Sequence, residues 1–173
     1  YVTIGGPIGK DDEAILKAIP KKTRADCRKA DERLTATESP EHFDAFYALF
    51  AENQRDLGTP VLPKRFLRMV AEAPALGARV LLVNHGCETV ASCLSLSYGA
   101  RILPYWAGAS AADMDLRPNH GLYLNVLRCA RRGGFSWYDF GRSKRGSGSY
   151  DFKKRWGFEE TPLPYRYRLV AAA

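Results

Sequence analysis

The sequence predicts an α/β domain with a mixed, mostly antiparallel sheet flanked by helices. Three observations predict it. Several segments repeat apolar residues at i, i+3, i+4 and i+7, the helical period. Three β-rich runs follow one another between residues 79 and 107 with only tight turns between them, which reads as an antiparallel meander. A helix and a further strand come next. No crossover helix interrupts the meander, so a doubly wound parallel sheet is excluded.

Each element has a local reason. Residues 1–7 read as a strand end and a turn. Residues 10–33 read as helical with a break at Pro20, and the second half is basic and amphipathic. Residues 34–37 form a short strand with β-branched threonines. Ser39, Pro40 and Glu41 then supply a cap, a first helical residue and a charge suited to a helix start. Phe43, Phe46, Tyr47 and Phe50 lie on one stripe of that helix, which we read as core-facing. Residues 57–60 end it, and Pro63 opens another helix through about Ala73. The meander strands are 79–84, 88–98 and 101–107, the last irregular at Pro104 because proline cannot donate to a ladder. A polar loop, 108–118, leads to a helix over 119–132, stopped by Gly133 and Gly134. A strand over 135–140, a short helix over 150–155 and a closing strand over 163–170 complete the chain.

Composition narrows the class. With 173 residues and 46% apolar content the chain can bury a real core, and disorder is excluded. No apolar stretch approaches the roughly 20 residues that span a bilayer. Tyr1 in place of a methionine marks a mature product or a fragment, and nothing resembles a signal peptide. Cys27, Cys87, Cys93 and Cys129 form no C-x-x-C pair, so they read as buried thiols in a reducing cytosol rather than metal ligands. The net charge is +7, and residues 128–168 carry all of it, with 11 Lys/Arg against 4 Asp/Glu. Two readings of that field stay open: a polyanion partner, or a solvated basic face.

Residues 55–61, Pro118 and Asn119 with Leu122 and Tyr123, residues 139–143, residues 152–157 and residues 162–165 run in order along the chain. Together with the element order they resemble a GNAT acyltransferase domain. More narrowly they resemble the FemAB-type proteins associated with PEP-CTERM and exopolysaccharide loci, whose connecting helix the basic segment 24–30 also resembles. The resemblance implies a division of the chain. Residues 1–34 would be the tail of a first GNAT-like domain with the connecting helix, and 35–173 a second GNAT-like domain.

The resemblance also implies chemistry. Fem-type enzymes transfer an aminoacyl group from tRNA to an amine, and the wider GNAT group uses acyl-CoA. Both need an oxyanion held as the amine attacks a carbonyl. In Fem-type enzymes the lysine of a Phe-Lys-x-Gly-Phe-Gly segment lies near that carbonyl, and Lys153 is the matching position here. The segment departs from the pattern at Arg155 and Trp156. The same lysine could instead lie on the surface, its stem covering apolar groups. Arg142, Lys144 and Arg145 beside Gly146–Ser149 form a candidate anion loop, since glycine lets backbone N–H groups approach an anion and arginine binds phosphate bidentately. An exposed turn is the competing reading, and the loop is not a Walker A motif. Asp139 could accept a proton from the amine or only hold the loop. Tyr150 and Tyr105 could donate near the carbonyl or simply pack. Asn119 and His120 open a helix, a natural anion site that in GNAT enzymes holds the coenzyme A pyrophosphate. The glycine-rich loop that normally serves that site is absent from 108–118.

The expected activity is therefore N-acyl or aminoacyl transfer in cell-envelope or exopolysaccharide biosynthesis. Lys153 and Asp139 would be catalytic. Arg142, Lys144, Arg145, Tyr150, Asn119 and Tyr105 would bind substrate or anion. We expect no tightly bound cofactor and no metal, with aminoacyl-tRNA or acyl-CoA as donor. The expected partners are a diphosphate-linked precursor or glycan and tRNA. The expected location is the cytoplasm, with peripheral contact at the inner membrane face as an extension. The competing class is a non-catalytic module that binds an anionic glycan, lipid diphosphate or nucleic acid.

Overall fold

The computed structural model describes residues 1–166 and 168. Seven strands form one sheet. They are β1 (Val2–Pro7), β2 (Thr35–Glu38), β3 (Arg79–His85), β4 (Glu88–Tyr98), β5 (Arg101–Ala109), β6 (Trp137–Ser143) and β7 (Glu159–Pro162). Their order across the sheet is β2-β3-β4-β5-β6-β1-β7. Every neighbouring pair is antiparallel except β5–β6. The mixed α/β fold expected from the sequence is thus the fold observed.

The helices are α1 (Asp12–Ala18), α2 (Lys21–Asp31), α3 (Phe43–Asp56), α4 (Lys64–Glu72), α5 (Pro118–Arg132) and α6 (Gly148–Lys154). Pro20 does break the first helical segment, separating α1 from α2. The sheet has a core on each face, and β3 shows why. Its residues alternate, so Val80 and Leu82 pack with Phe43, Phe46 and Phe50 of α3 and Leu67 of α4. Leu81 and Val83 point the other way, into a core shared with Ile15 of α1, Cys27 and Ala30 of α2, and Leu122 and Leu127 of α5. The aromatic stripe of α3 is core-facing as expected. Its half-buried member, Tyr47, donates its hydroxyl to Leu62 O at 3.0 Å.

Two expectations change. The N-terminal segment is no turn but a six-residue strand set between β6 and β7. Gly5 and Gly6 permit this. A Cβ on Gly5 would lie 2.6 Å from the Tyr138 carbonyl oxygen, and one on Gly6 would lie 2.8 Å from the Phe158 ring. The closing strand begins earlier, at Glu159, and ends at Pro162, while residues 163–166 have no regular structure. Leu163 N still donates to the Tyr1 carbonyl at 3.0 Å, and the next residue, Pro164, cannot donate to a ladder. Residues 167, 169 and 170 of the expected strand lie outside the described residues. Smaller shifts move the helix start to Pro118 and the strand after it to Trp137–Ser143.

The cysteines divide. Burial pushes the Cys27 and Cys93 thiols up to about 12, so neither is a thiolate at neutral pH. Cys129 is half-buried, and Cys87, expected to be buried, is exposed at the β3–β4 turn. Among the described residues no cluster of His, Cys, Asp and Glu could hold a metal, and no helix is long and apolar enough to cross a membrane.

Candidate functional site

The site starts from a mismatch in the sheet. The parallel strands β5 and β6 pair only through Arg101–Trp137 and Ile102–Tyr138. Beyond those pairs they separate. On the β5 side, register shifts at Leu94/Ser95, opposite Pro104. On the β6 side, register with β1 shifts between Thr3 and Gly5, where one extra β6 residue bulges. Gly141 sits in that bulge at φ +71°, a left-handed conformation that glycine adopts freely. The opening is a cleft of about 560 Å³ whose lining includes Leu103, Pro104 and Tyr105 of β5 and Asp139, Phe140 and Arg142 of β6. Strand edges facing such a gap offer backbone N–H and C=O groups to an extended ligand.

Lys153 of α6 reaches the floor of this cleft. Its Nζ donates to the Phe140 carbonyl at 2.8 Å and, weakly, to the Arg142 carbonyl at 3.5 Å. The bulge at Gly141 is what brings both carbonyls to one ammonium. An ammonium has three donors, so at least one remains for a ligand. Burial lowers the Lys153 pKa below the ordinary lysine value, and the nearby Asp139 opposes part of that shift. Ser147 accepts from Tyr150 N at 3.3 Å and caps α6, which fixes the helix that carries Lys153.

Asp139 is held from two sides. Its Oδ1 accepts from Gly141 N at 2.7 Å and from the Thr3 hydroxyl. Its Oδ2 has no hydrogen-bond partner among the described residues and is left for the cleft. Arg142 packs its guanidinium over the Tyr1 ring at 4.6 Å and donates to the Tyr165 hydroxyl at 3.4 Å. Tyr105, mostly exposed, stands on the opposite wall against Trp106.

Four expected site residues lie elsewhere. Tyr150 turns its hydroxyl to Glu160 Oε2 at 2.6 Å, and Arg145 donates to Glu160 Oε1 at 2.8 Å. Glu160 therefore occupies both, and a carboxylate takes the place where an anion loop would need an unpaired cation. Lys144 is exposed and does not line the cleft. Asn119 is half-buried at the start of α5 and is likewise outside it. That helix start faces α2, where Asp26 is 3.2 Å from Arg117 Nε and 3.9 Å from His120 Nε2. His120 stacks on Trp156, and burial lowers its pKa.

The cleft also contains residues that were not singled out for the site. Thr3 arrives from β1, far away in sequence, and no local signal marks it. Tyr123 of α5 lines the cleft, and burial pushes its hydroxyl above the usual tyrosine range. In sequence Leu122, Tyr123, Val126, Leu127 and Ala130 share one helical face, which gives Tyr123 the look of a core residue. Trp156 is 1% exposed and packs on Phe140, Tyr123 and Phe152, so its bulk belongs to the core beneath the site.

Residues 21–154 match the acetyltransferase (GNAT) domain. The chain belongs to that family. The match covers most of the sequence and contains α2 through α6, hence both walls of the cleft. This GNAT domain is also similar in structure to solved proteins. FemX superposes with a TM-score of 0.81 at 17% identity, covering 92% of this chain and 59% of that one. The C-terminal domain of a putative lysylphosphatidylglycerol synthetase from Agrobacterium fabrum gives 0.66 at 13% identity, covering 92% and 60%. An aminoglycoside acetyltransferase from an uncultured soil metagenomic sample, in complex with sisomicin, gives 0.57 at 15% identity, covering 81% and 99%. The chain thus spans about three fifths of the first two structures. No curated protein sequence matches it. The family and the fold support an acyltransferase.

Proposed function

We propose that this GNAT domain is the second unit of a Fem-type N-acyl or aminoacyl transferase acting in cell-envelope or exopolysaccharide biosynthesis. The supporting observation is the Lys153 ammonium, fixed at the floor of the β5–β6 cleft with a donor to spare. An amine nitrogen attacks the activated carbonyl, and Lys153 holds the oxyanion that develops. The Asp139 Oδ2 accepts or orients the proton that leaves the amine. As the new C–N bond is completed, the bond from the carbonyl carbon to the donor oxygen or sulfur breaks, and the proton ends on that leaving atom. Arg142 and Tyr105 flank the entrance and position an anionic donor or acceptor, such as a diphosphate-linked sugar. Aminoacyl-tRNA and acyl-CoA remain the two donor classes of this proposal.

A second reading has its own observation. The two carbonyl contacts of Lys153 also tether α6 to β6, and a structural clamp in an anion-binding module would need no more. Kinetics on the full-length protein separate the two. With labelled aminoacyl-tRNA or acetyl-CoA as donor and an amine on a diphosphate-linked sugar as acceptor, Lys153→Met should lower kcat by about 10²–10³-fold and leave donor affinity unchanged. A loss of affinity with unchanged turnover per bound donor would defeat the catalytic assignment.

A further inference from the structure

Helix α4 and the segment before it present an apolar face to solvent. Among the described residues, six exposed large apolar side chains fall within residues 57–76: Leu57, Val61, Leu62, Phe66, Met69 and Leu76. Such a cluster marks an interaction surface, whereas single exposed apolar residues do not. The segment is fastened in place. Gly58 N donates to the Arg55 carbonyl and Thr59 N to the Gln54 carbonyl, each at 2.9 Å, and Leu62 O accepts from the Tyr47 hydroxyl.

The helix period sorts the side chains of α4. Leu67 is buried with the aromatic residues of α3. Lys64 and Arg68 turn back to Asp44 of α3, at 2.7 and 2.5 Å. Met69 lies about 160° around the helix from Leu67 and is 61% exposed, so it marks the centre of the outer side. Arg65 and Glu72 fall on one flank of Met69, and Phe66 and Ala73 on the other. Arg65 is exposed and makes no ion pair among the described residues. Glu72 is exposed too, and only a long contact of 3.9 Å links it to Arg68 Nη1. Arg65 and Glu72 stand about 10 Å apart along the axis, with Met69 near their midpoint.

We propose that this outer side of α4 is the interface of a homodimer, in which the α4 helices of two copies pack antiparallel about a two-fold axis beside Met69. A two-fold axis makes every contact twice and therefore requires a self-complementary surface. The stripe on α4 meets that condition. With the axis perpendicular to the plane of the two helices, each residue keeps its flank and reverses its position along the helix. Arg65 of one copy then meets Glu72 of the second copy, and the pair forms twice. Met69 meets its own counterpart at the axis. Phe66 packs on the half-buried Val70 and Ala73 of the second copy. The charges decide against an anionic lipid surface. An interfacial helix sets lysine and arginine free around its apolar face, whereas here Lys64 and Arg68 are held by Asp44 and a carboxylate, Glu72, lies on the stripe. None of residues 57–76 lines the β5–β6 cleft, so the proposal does not rest on the acyl-transfer reading.

The test is sedimentation equilibrium of the full-length protein. The average mass should rise from monomer toward dimer between about 1 and about 100 μM. Met69→Lys should abolish the rise, because two ammonium groups would be buried together at the axis. Met69 is mostly exposed within one copy, so this variant should keep its Tm at the lowest concentration. Arg65→Glu and Glu72→Arg should each weaken the dimer by roughly tenfold or more, since each sets like charges against one another. Combining the two restores opposite charges in swapped places and should return the Kd to within about threefold of the starting protein. A protein that stays monomeric at every concentration overturns the proposal. So does a dimer indifferent to Met69→Lys, or a combined variant no tighter than either single one. A monomer that binds phosphatidylglycerol vesicles, and loses them with Met69→Lys, gives the face to lipid and overturns it as well. The Lys153→Met variant should dimerise normally, so failure of the catalytic reading leaves this result intact.

Discussion

At the residue scale, Lys153 depends on its neighbours more than on its own motif. The Phe-Lys frame is visible in sequence, but its two carbonyl partners come from a bulge thirteen and eleven residues earlier. Because burial lowers its pKa, the alkaline limb of the pH–rate profile should fall below the ordinary lysine value of about 10.4. Lys153→Arg should move that limb upward if any activity survives. His120 sets a second pH limit, this time on stability. Its folded pKa is depressed, so the unfolded chain takes up a proton first as pH falls through about 6.5. Stability should be fully present above that pH. It should drop by as much as about 1.4 kcal/mol per unit until the folded pKa is reached. His120→Phe should flatten the dependence in urea titrations at pH 5–8. Trp156→Ala should cost about 3–5 kcal/mol, since the ring is fully buried under the site.

At the element scale, the loop over residues 144–147 shows how charge alone misleads. Its glycine and cations resemble an anion cradle, yet Ser147 is used to cap α6 and Arg145 is used on Glu160. Arg145→Ala should therefore leave the donor KM unchanged, whereas Arg142→Ala should raise it. Strand β1 makes the opposite point. Residues 1–7 read in sequence as a strand end and a turn, but Gly5 is the condition for β6 to approach, and Gly6 makes room for the Phe158 ring. Gly5→Ala drives a Cβ into the Tyr138 carbonyl and should cost about 1–3 kcal/mol, read as a lower urea midpoint with an unchanged m-value.

At the scale of the whole molecule, the single sheet ties chain start to chain end. Strand β1 sits between β6 and β7, and Thr3 shares a hydrogen bond with Asp139 across 136 positions. Removing residues 1–7 should abolish the cooperative thermal transition measured by calorimetry, because β6 and β7 then lose their common partner. The same topology makes the cleft. Among the described residues the one parallel pairing, β5–β6, is short and flanked by two register shifts, so the sheet opens where its order reverses direction.

The sequence by itself determined the mixed α/β class, the meander, the core stripes of α3 and α5, and the candidacy of Lys153, Asp139, Arg142 and Tyr105. Those features are local: periodicity, turn residues and a short motif report them directly. Only the tertiary structure decided that Thr3 and Tyr123 join the cleft and that Lys144, Arg145, Tyr150 and Asn119 do not. It also decided which cations are paired: Arg128 and Arg145 hold carboxylates, while Arg142 and Lys144 stay exposed without an ion pair among the described residues. The physical reason is common to all of these. A strand pairing, an ion pair or a cleft wall is a meeting of residues far apart in the chain, and its partner is set by register and packing rather than by spacing.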